Sequence, residues 1–91
     1  MRADPPPAME IEFKLFASLA RYLPPGGRAN TARIQVPEGA SVAEVLAGSG
    51  VPAEEIHLVI LNGIFIAPEE REHRFLKEGD TLAIWPPVAG G

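Results

Sequence analysis

The dipeptide Asn62-Gly63 constrains the fold of this chain more than any other feature. It separates two apolar runs, residues 58–61 and residues 64–66. Asn and Gly both tolerate the positive φ values that a tight type I′ turn requires. Two apolar runs joined by such a turn are typical of a β-hairpin. The sequence therefore predicts two neighbouring antiparallel strands in the second half of the chain.

Three further segments have the pattern of β-strands. In residues 10–16, apolar residues alternate with Glu and Lys, as in a strand with one buried face and one solvated face. Residues 32–36 form a second short strand. Thr81–Trp85 form the last strand, which ends at Pro86-Pro87 because proline has no N–H to donate to the ladder.

One main helix is predicted between the two halves of the chain. Ser41 and Glu44 form a capping box, in which each side chain satisfies a backbone N–H group of the other residue. Val42, Val45 and Leu46 then fall on one side of a short helix. The pattern predicts an α+β domain, with a mixed sheet of about four to five strands and this helix packed across one face. If the first and last strands lie side by side in parallel, the arrangement is a β-grasp (ubiquitin-like) fold.

The composition excludes several classes of function. The chain has 91 residues, is 46% hydrophobic and carries a net charge of −4, which argues for one domain without the basic face that nucleic acids or anionic membranes require. It has no cysteine, and no apolar run approaches the ~20 residues of a membrane span, so we expect a cytoplasmic protein. His57 and His73 lack the partners of a metal site, so no metal is expected. Residues 67–73 are predicted to be a solvated loop.

The two ends of the chain are expected to lie outside the fold. Residues 1–8 contain three consecutive prolines, which hold the backbone extended, and we expect a disordered leader. The domain then covers residues 9–85. Residues 86–91 are expected to form a flexible arm that ends in Gly90-Gly91. Because glycine has no Cβ, such an arm can enter a channel too narrow for side chains.

These features together resemble a known family. The Asn62-Gly63 hairpin, the Lys77-Glu78-Gly79-Asp80 turn, the hydrophobic last strand and the Pro-Pro-Val-Ala-Gly-Gly end are similar to the ubiquitin-like sulfur carriers of the MoaD/ThiS family. Within that family the end is most like that of the small subunit of molybdopterin synthase. The similarity covers residues 9–91.

The resemblance implies a non-catalytic sulfur carrier that binds no cofactor. A ubiquitin-activating-like adenylyltransferase uses ATP to adenylate the carboxylate of Gly91, and a persulfide sulfur from a donor protein then yields a thiocarboxylate. The molybdopterin synthase large subunit accepts the arm and uses the sulfur for the dithiolene of the Mo or W cofactor. By this resemblance Gly91 is the covalent site. The arm that enters the active site consists of Pro86, Pro87, Val88, Ala89 and Gly90.

Three alternatives remain open from the sequence. The same carrier chemistry could serve thiamin thiazole, cysteine or tRNA thiolation. A ubiquitin-like modifier would instead transfer the Gly91 acyl group to a lysine amine. A β-grasp interaction domain with an inert tail is the third possibility.

The hairpin also suggests a partner interface. Its first strand carries apolar residues on both faces, which is more apolar surface than one helix covers. Phe65, Trp85, Val59 and Leu61 are therefore candidate interface residues. The alternative is that this strand is central and buried on both faces.

Overall fold

A computed structural model describes residues 7–87 of the chain. The expected leader up to residue 6 and the expected arm residues Val88, Ala89, Gly90 and Gly91 lie outside this range. Within it the chain forms one five-stranded sheet, one α-helix and three short 3₁₀ helices. The strands are β1 (Ala8–Leu15), β2 (Thr31–Pro37), β3 (Leu58–Leu61), β4 (Ile64–Phe65) and β5 (Thr81–Trp85), the α-helix is α1 (Val42–Gly48), and the 3₁₀ helices are Ala17–Tyr22, Ala53–Glu55 and Pro68–Glu70.

The strand order is β2-β1-β5-β3-β4. The first and last strands, β1 and β5, pair in parallel at the centre of the sheet, and the other three pairings are antiparallel. This order confirms the predicted β-grasp fold. Since β1 begins at Ala8, the sheet starts two residues before the predicted strand and one residue before the predicted domain boundary.

The core lies between α1 and one face of the sheet. Every second residue of β1 is buried, as the alternating pattern predicts. The helix contributes its predicted apolar side, and the sheet contributes the large side chains of its central strands. The buried cluster includes Met9, Ile11, Phe13, Leu15, Val42, Val45, Leu46, Val59, Leu61, Leu82 and Ile84.

Both local motifs of the sequence have the predicted geometry. Asn62 and Gly63 have φ values of 50° and 83°, and the hairpin they form pairs β3 with β4. The Ser41 hydroxyl accepts a hydrogen bond from the Glu44 N–H at 3.1 Å, and the Glu44 carboxylate accepts one from the Ser41 N–H at 2.9 Å. The capping box and the tight turn are therefore confirmed.

The charged segment before β5 is more than a solvated loop. The carbonyl oxygens of Arg71 and Arg74 accept hydrogen bonds from the N–H groups of Ala43 and Val42, both at 2.9 Å. The first N–H groups of a helix have no partner within the helix, so this loop completes the N-terminus of α1. Five of the seven residues of the predicted solvated loop, 67–73, are exposed, as expected, and the loop also supplies the Arg71 carbonyl to the helix.

Nothing in residues 7–87 forms a helix that is long and apolar enough to cross a lipid bilayer.

Candidate functional site

The end of β5 is held at a fixed position by strands on both sides. The N–H of Phe16, just after β1, donates to the carbonyl of Ile84 at 3.1 Å. The N–H of His57, just before β3, donates to the carbonyl of Trp85 at 2.9 Å. Pro86 is half-buried and Pro87 is exposed. The expected arm therefore begins at a rigid point of the fold, and its first two residues already leave the sheet.

An aromatic stack lies at this point. The rings of Phe16 and Trp85 have centroids 4.4 Å apart and are inclined by only 6°. Parallel pairing of β1 with β5 places Leu15 opposite Ile84, so the next residue of each strand brings these two rings together. Trp85 is thus fixed by its backbone and by its ring.

A shallow cavity of about 410 Å³ adjoins the first arm residues. Its wall includes Ala17 and Ser18 on one side and His57 and Leu58 on the other. Ala17 has a φ of 53°, a left-handed conformation that costs an L-residue about 1–2 kcal/mol. This strained residue turns the chain from β1 into the first 3₁₀ helix, whose Leu19 is fully buried.

The sheet face opposite α1 has an apolar half next to this point. Leu58 and Ile60 are half-buried on that face, and Phe65 pairs with Ile60 across the hairpin and is 53% exposed. Trp85 pairs with Leu58 across β5 and β3, so its side chain lies on the same face. Leu58, Ile60, Phe65, Ala83 and Trp85 are called the apolar patch below.

Two of the predicted interface residues do not belong to this patch. Val59 and Leu61 are only 0% and 5% exposed. Since successive residues of a strand point to opposite faces, these two side chains point toward α1 while those of Leu58 and Ile60 point away. The prediction that Val59 and Leu61 contact a partner is wrong, and the strand is fully buried on one face only.

The other half of this sheet face is charged. Glu10 and Arg33 form an ion pair at 3.2 Å across β1 and β2, and Glu12 lies 4.0 Å from Lys14 on β1. Exposed pairs of this kind contribute little to stability. A partner that covers the apolar patch therefore meets a charged border on the side of β1 and β2.

Asp80 organises the opposite end of β5. Its carboxylate accepts hydrogen bonds from the N–H of Lys77 at 2.8 Å and from the side-chain amide of Asn62 at 2.9 Å. The side-chain oxygen of Asn62 in turn accepts from the N–H of Thr81 at 2.8 Å. Asp80 shapes its turn, as expected, and also ties that turn to the hairpin.

Phe75 lies on the surface, although it is adjacent to a core residue. Leu76 is buried, whereas Phe75 is 58% exposed. Phe75 pairs with Ser41 through an isolated bridge beside the start of α1.

The Arg71 side chain lies beside the residue that precedes β3. Burial lowers the pKa of the Arg71 guanidinium, and the nearby Glu69 opposes that effect; one Arg71 nitrogen lies 3.4 Å from the carbonyl oxygen of His57. His57 and His73 are both exposed. Across the described range, no three His, Cys, Asp or Glu side chains are grouped so as to hold a metal ion.

Sequence reasoning missed Phe16, His57, Leu58 and Ile60 as parts of this site. Strand alternation separates Leu58 and Ile60 from Val59 and Leu61, but it does not tell which of the two pairs faces α1. Phe16 and His57 gave no comparable signal. Their place beside Trp85 depends on which strands pair with β5.

A family model described as Mut7-C ubiquitin matches residues 8–90 of the chain. No curated protein matches the chain significantly.

Several solved structures have the same fold. The HVO 2177 protein of Haloferax volcanii is 26% identical, with a TM-score of 0.69 over 100% of this chain and 94% of that one. Small archaeal modifier protein 1 of the same organism is 28% identical, with a TM-score of 0.63 over 88% of this chain and 99% of that one.

A protein of Pyrococcus furiosus described as molybdopterin converting factor subunit 1 is 21% identical. Its TM-score is 0.63, over 88% of this chain and 99% of that one, and at this identity the likeness concerns the fold alone. The predicted resemblance to small ubiquitin-like proteins is confirmed by the family match and by the modifier structure.

Proposed function

Because this chain belongs to the Mut7-C ubiquitin family, we propose that it is a ubiquitin-like carrier whose C-terminal carboxylate, on Gly91, is activated and loaded with sulfur in the cytoplasm. The observation that carries this proposal is the fixed root of the arm. Backbone hydrogen bonds hold Ile84 and Trp85 on both sides, and Pro86-Pro87 then ends strand pairing. In this proposal the folded body offers residues 88–91 to another protein.

The proposed chemistry follows from the ionised carboxylate, which is a poor acceptor for nucleophiles. An adenylyltransferase transfers AMP from ATP to the Gly91 carboxylate, and pyrophosphate leaves. A persulfide sulfur of a donor protein then attacks the acyl carbon, the C–O bond to AMP breaks, and an acyl disulfide forms. A thiol reduces its S–S bond, so that one sulfur stays on Gly91 as a thiocarboxylate and the donor leaves as a mixed disulfide with that thiol.

The length of the arm limits the partner's geometry. Six residues, 86–91, span at most about 20 Å when fully extended. The catalytic groups of any partner must therefore lie within about 20 Å of Trp85. We propose that the apolar patch forms the docking surface, because it is the exposed apolar area nearest to the root of the arm.

Docking on one patch has a further consequence for the partners. The adenylyltransferase and the enzyme that accepts the sulfur each need the arm in their own active site. If both also cover the apolar patch, they bind this chain one after the other and never together. For the acceptor we propose a molybdopterin synthase large subunit, which would use the sulfur for the pterin dithiolene of the Mo or W cofactor.

A second fate of the activated Gly91 also has specific support. Two of the similar structures, at 26% and 28% identity, are those of small archaeal modifier protein 1. A modifier would form an amide between the Gly91 carbonyl carbon and a lysine Nζ, with AMP as the leaving group and loss of a proton from the amine. Sulfur loading and conjugation share the adenylate, so they differ only in the attacking nucleophile.

Intact-mass spectrometry of the chain purified from its own cells tests the proposal. Sulfur loading gives the mass gain of one oxygen-to-sulfur exchange at Gly91, whereas conjugation gives, after trypsin cleavage at Lys77, branched peptides in which residues 78–91 are attached to lysines of other proteins. Deletion of Gly91 removes both products without unfolding the domain, and Gly90→Val blocks adenylation by its added bulk. If the truncated chain still carries sulfur, or the full chain gives neither product, the proposal fails.

Two adjacent residues test the docking surface. Phe65 and Ile64 are similarly exposed, at 53% and 55%, but neighbouring strand residues point to opposite faces. We expect Phe65→Ser to slow adenylation by the cognate enzyme at least about tenfold, as for loss of an apolar anchor, while Ile64→Ser has no effect. Equal effects of the two substitutions would exclude the apolar patch as the docking surface.

A further inference from the structure

One edge of the sheet, formed by β2, carries unpaired backbone groups. The Leu15 N–H donates to the Asn30 carbonyl at 2.8 Å, and the Glu38 N–H donates to the Pro7 carbonyl at 3.1 Å. These two bonds show which residues of β1 and β2 form hydrogen-bonded pairs. In the segment from Asn30 to Glu38, the even-numbered residues direct their N–H and C=O groups toward β1. The odd-numbered residues direct theirs away from the sheet.

The outward-facing groups are closed off at both ends of β2. Thr31 exchanges two hydrogen bonds of 2.9 Å with Arg28. Pro37 has no N–H, and its carbonyl accepts from Ala40 at 3.0 Å. In the part of the chain that the structure describes, Arg33 and Gln35 are left with outward N–H and C=O groups that have no backbone partner. Such an edge is a template for one more strand.

An apolar groove runs beside this short edge. It lies between β2 and α1, has a volume of about 490 Å³, and is lined by Ile34, Val36 and Val45 among others. Gly48, at the end of α1, also lines it, and a Cβ added there would meet no atom within 4 Å. Alternate side chains of an added strand would point into this groove.

The charges around the groove differ between its two ends. The exposed Arg28 pairs with Thr31 at one end of β2, whereas the Arg33 side chain lies on the opposite sheet face and is paired with Glu10. Glu44 lines the groove, and Glu38 follows β2 directly at its other end. An extended peptide bound here would meet positive charge at one end and negative charge at the other.

We propose that the edge of β2 binds an extended peptide segment of another protein by β-strand addition. The segment pairs antiparallel with Arg33 and Gln35 and places two alternate apolar side chains in the groove. Antiparallel pairing runs it from the Glu38 end toward the Arg28 end, so it carries a basic residue before the apolar positions and an acidic residue after them. Main-chain hydrogen bonds supply affinity, and the groove supplies specificity.

This site is separate from the root of the arm. The groove lies on the side of the sheet that α1 covers, whereas the apolar patch lies on the opposite face. Two strand spacings, about 10 Å, separate β2 from β5. A protein that holds the peptide site leaves both the arm and the apolar patch free for the adenylyltransferase.

A synthetic peptide, acetyl-Arg-Thr-Val-Thr-Val-Thr-Asp-amide, tests the proposal with the full chain. Amide hydrogen exchange is followed by NMR at about 1 mM peptide, which half-saturates a complex at the weak end of specific binding. In the free protein the Arg33 and Gln35 amides exchange fast while those of Ile34 and Val36 are protected. We expect the peptide to slow exchange at Arg33 and Gln35 about twofold at this concentration, because the half of the molecules that are bound carry new ladder hydrogen bonds and exchange only when they open.

Two helix variants separate groove binding from other causes. Gly48→Leu fills the groove and weakens binding at least about tenfold, consistent with loss of the apolar contacts. The matched control is Ala47→Leu, because Ala47 lines a different depression on the other side of α1. The control binds the peptide as the unaltered chain does.

Two altered peptides test the charges and the spacing. A peptide with its two charged ends exchanged binds more weakly. A peptide with its two valines adjacent to each other loses most of the affinity.

Several results would overturn the proposal. These are no protection of Arg33 and Gln35 at the highest peptide concentration, equal binding of the peptide with adjacent valines, or unchanged binding by the Gly48→Leu variant. Chemical shift changes confined to Phe65 and Ile60 would also overturn it, since they would place the peptide on the apolar patch.

Discussion

The stack of Phe16 on Trp85 fixes the root of the arm, and its contribution can be measured. We consider Phe16→Leu, which keeps most of the apolar volume and removes the ring. The stacked geometry, with centroids 4.4 Å apart and planes 6° from parallel, contributes about 0.5–1.5 kcal/mol beyond its buried area. Both rings are half-buried, and the backbone hydrogen bond of Phe16 is independent of its side chain.

The expected loss in the free energy of unfolding is therefore about 1 kcal/mol. For a domain of this size that loss corresponds to a fall in Tm of about 4–8 °C. Urea unfolding of Phe16→Leu, Trp85→Leu and the double variant gives a coupling energy, and circular dichroism is the signal because Trp85 is the single tryptophan. We expect a coupling of about 1 kcal/mol between the two positions.

The control is Phe65→Leu, at an exposed aromatic residue on the same sheet face as Trp85, which should show no coupling to Trp85. Tryptophan fluorescence gives an independent check, since only Phe16→Leu should change the emission of Trp85. A Phe16–Trp85 coupling energy below about 0.3 kcal/mol, which is within the error of additive sites, would refute the argument. So would an emission spectrum that does not change.

Two further predictions concern the polar contacts that hold the turns and the helix. Asp80→Ala removes the acceptor for Lys77 and Asn62 and lowers the free energy of unfolding by about 2 kcal/mol in urea; Asp80→Asn, which keeps one acceptor oxygen, loses less, and equal losses would contradict the hydrogen bonds described. Ser41→Ala removes the N-cap of α1 and costs about 1 kcal/mol, measured as a lower urea midpoint at an unchanged m-value; an unchanged midpoint would show that the cap does not stabilise the helix.

The local elements of this fold follow closely from local sequence. The Asn62-Gly63 turn and the Ser41–Glu44 capping box each depend on contacts within four residues along the chain. Short-range φ preferences and side-chain hydrogen bonds fix such motifs without tertiary structure. The same holds for the alternating residues of β1, which reveal a buried face through their period.

The sequence did not predict in the same way which residues form the candidate site. Phe65 and Trp85 lie on the exposed sheet face, as the pattern allows, but Val59 and Leu61 lie in the core. A run of four apolar residues contains no signal that tells its two faces apart. The position of α1 against one of those faces decides which residues remain available to a partner.

By itself the sequence determined the strands, the turn, the helix cap and the resemblance to ubiquitin-like carriers, because each rests on neighbours in the chain or on a linear pattern. Tertiary structure alone decided that Phe16 meets Trp85, that His57 holds the end of β5, and that the outward backbone groups of Arg33 and Gln35 have no backbone partner within residues 7–87. The first two features join residues far apart in sequence, and the third depends on which strand lies at the edge of the sheet. They depend on strand order and register, which the packing of the whole sheet against α1 selects.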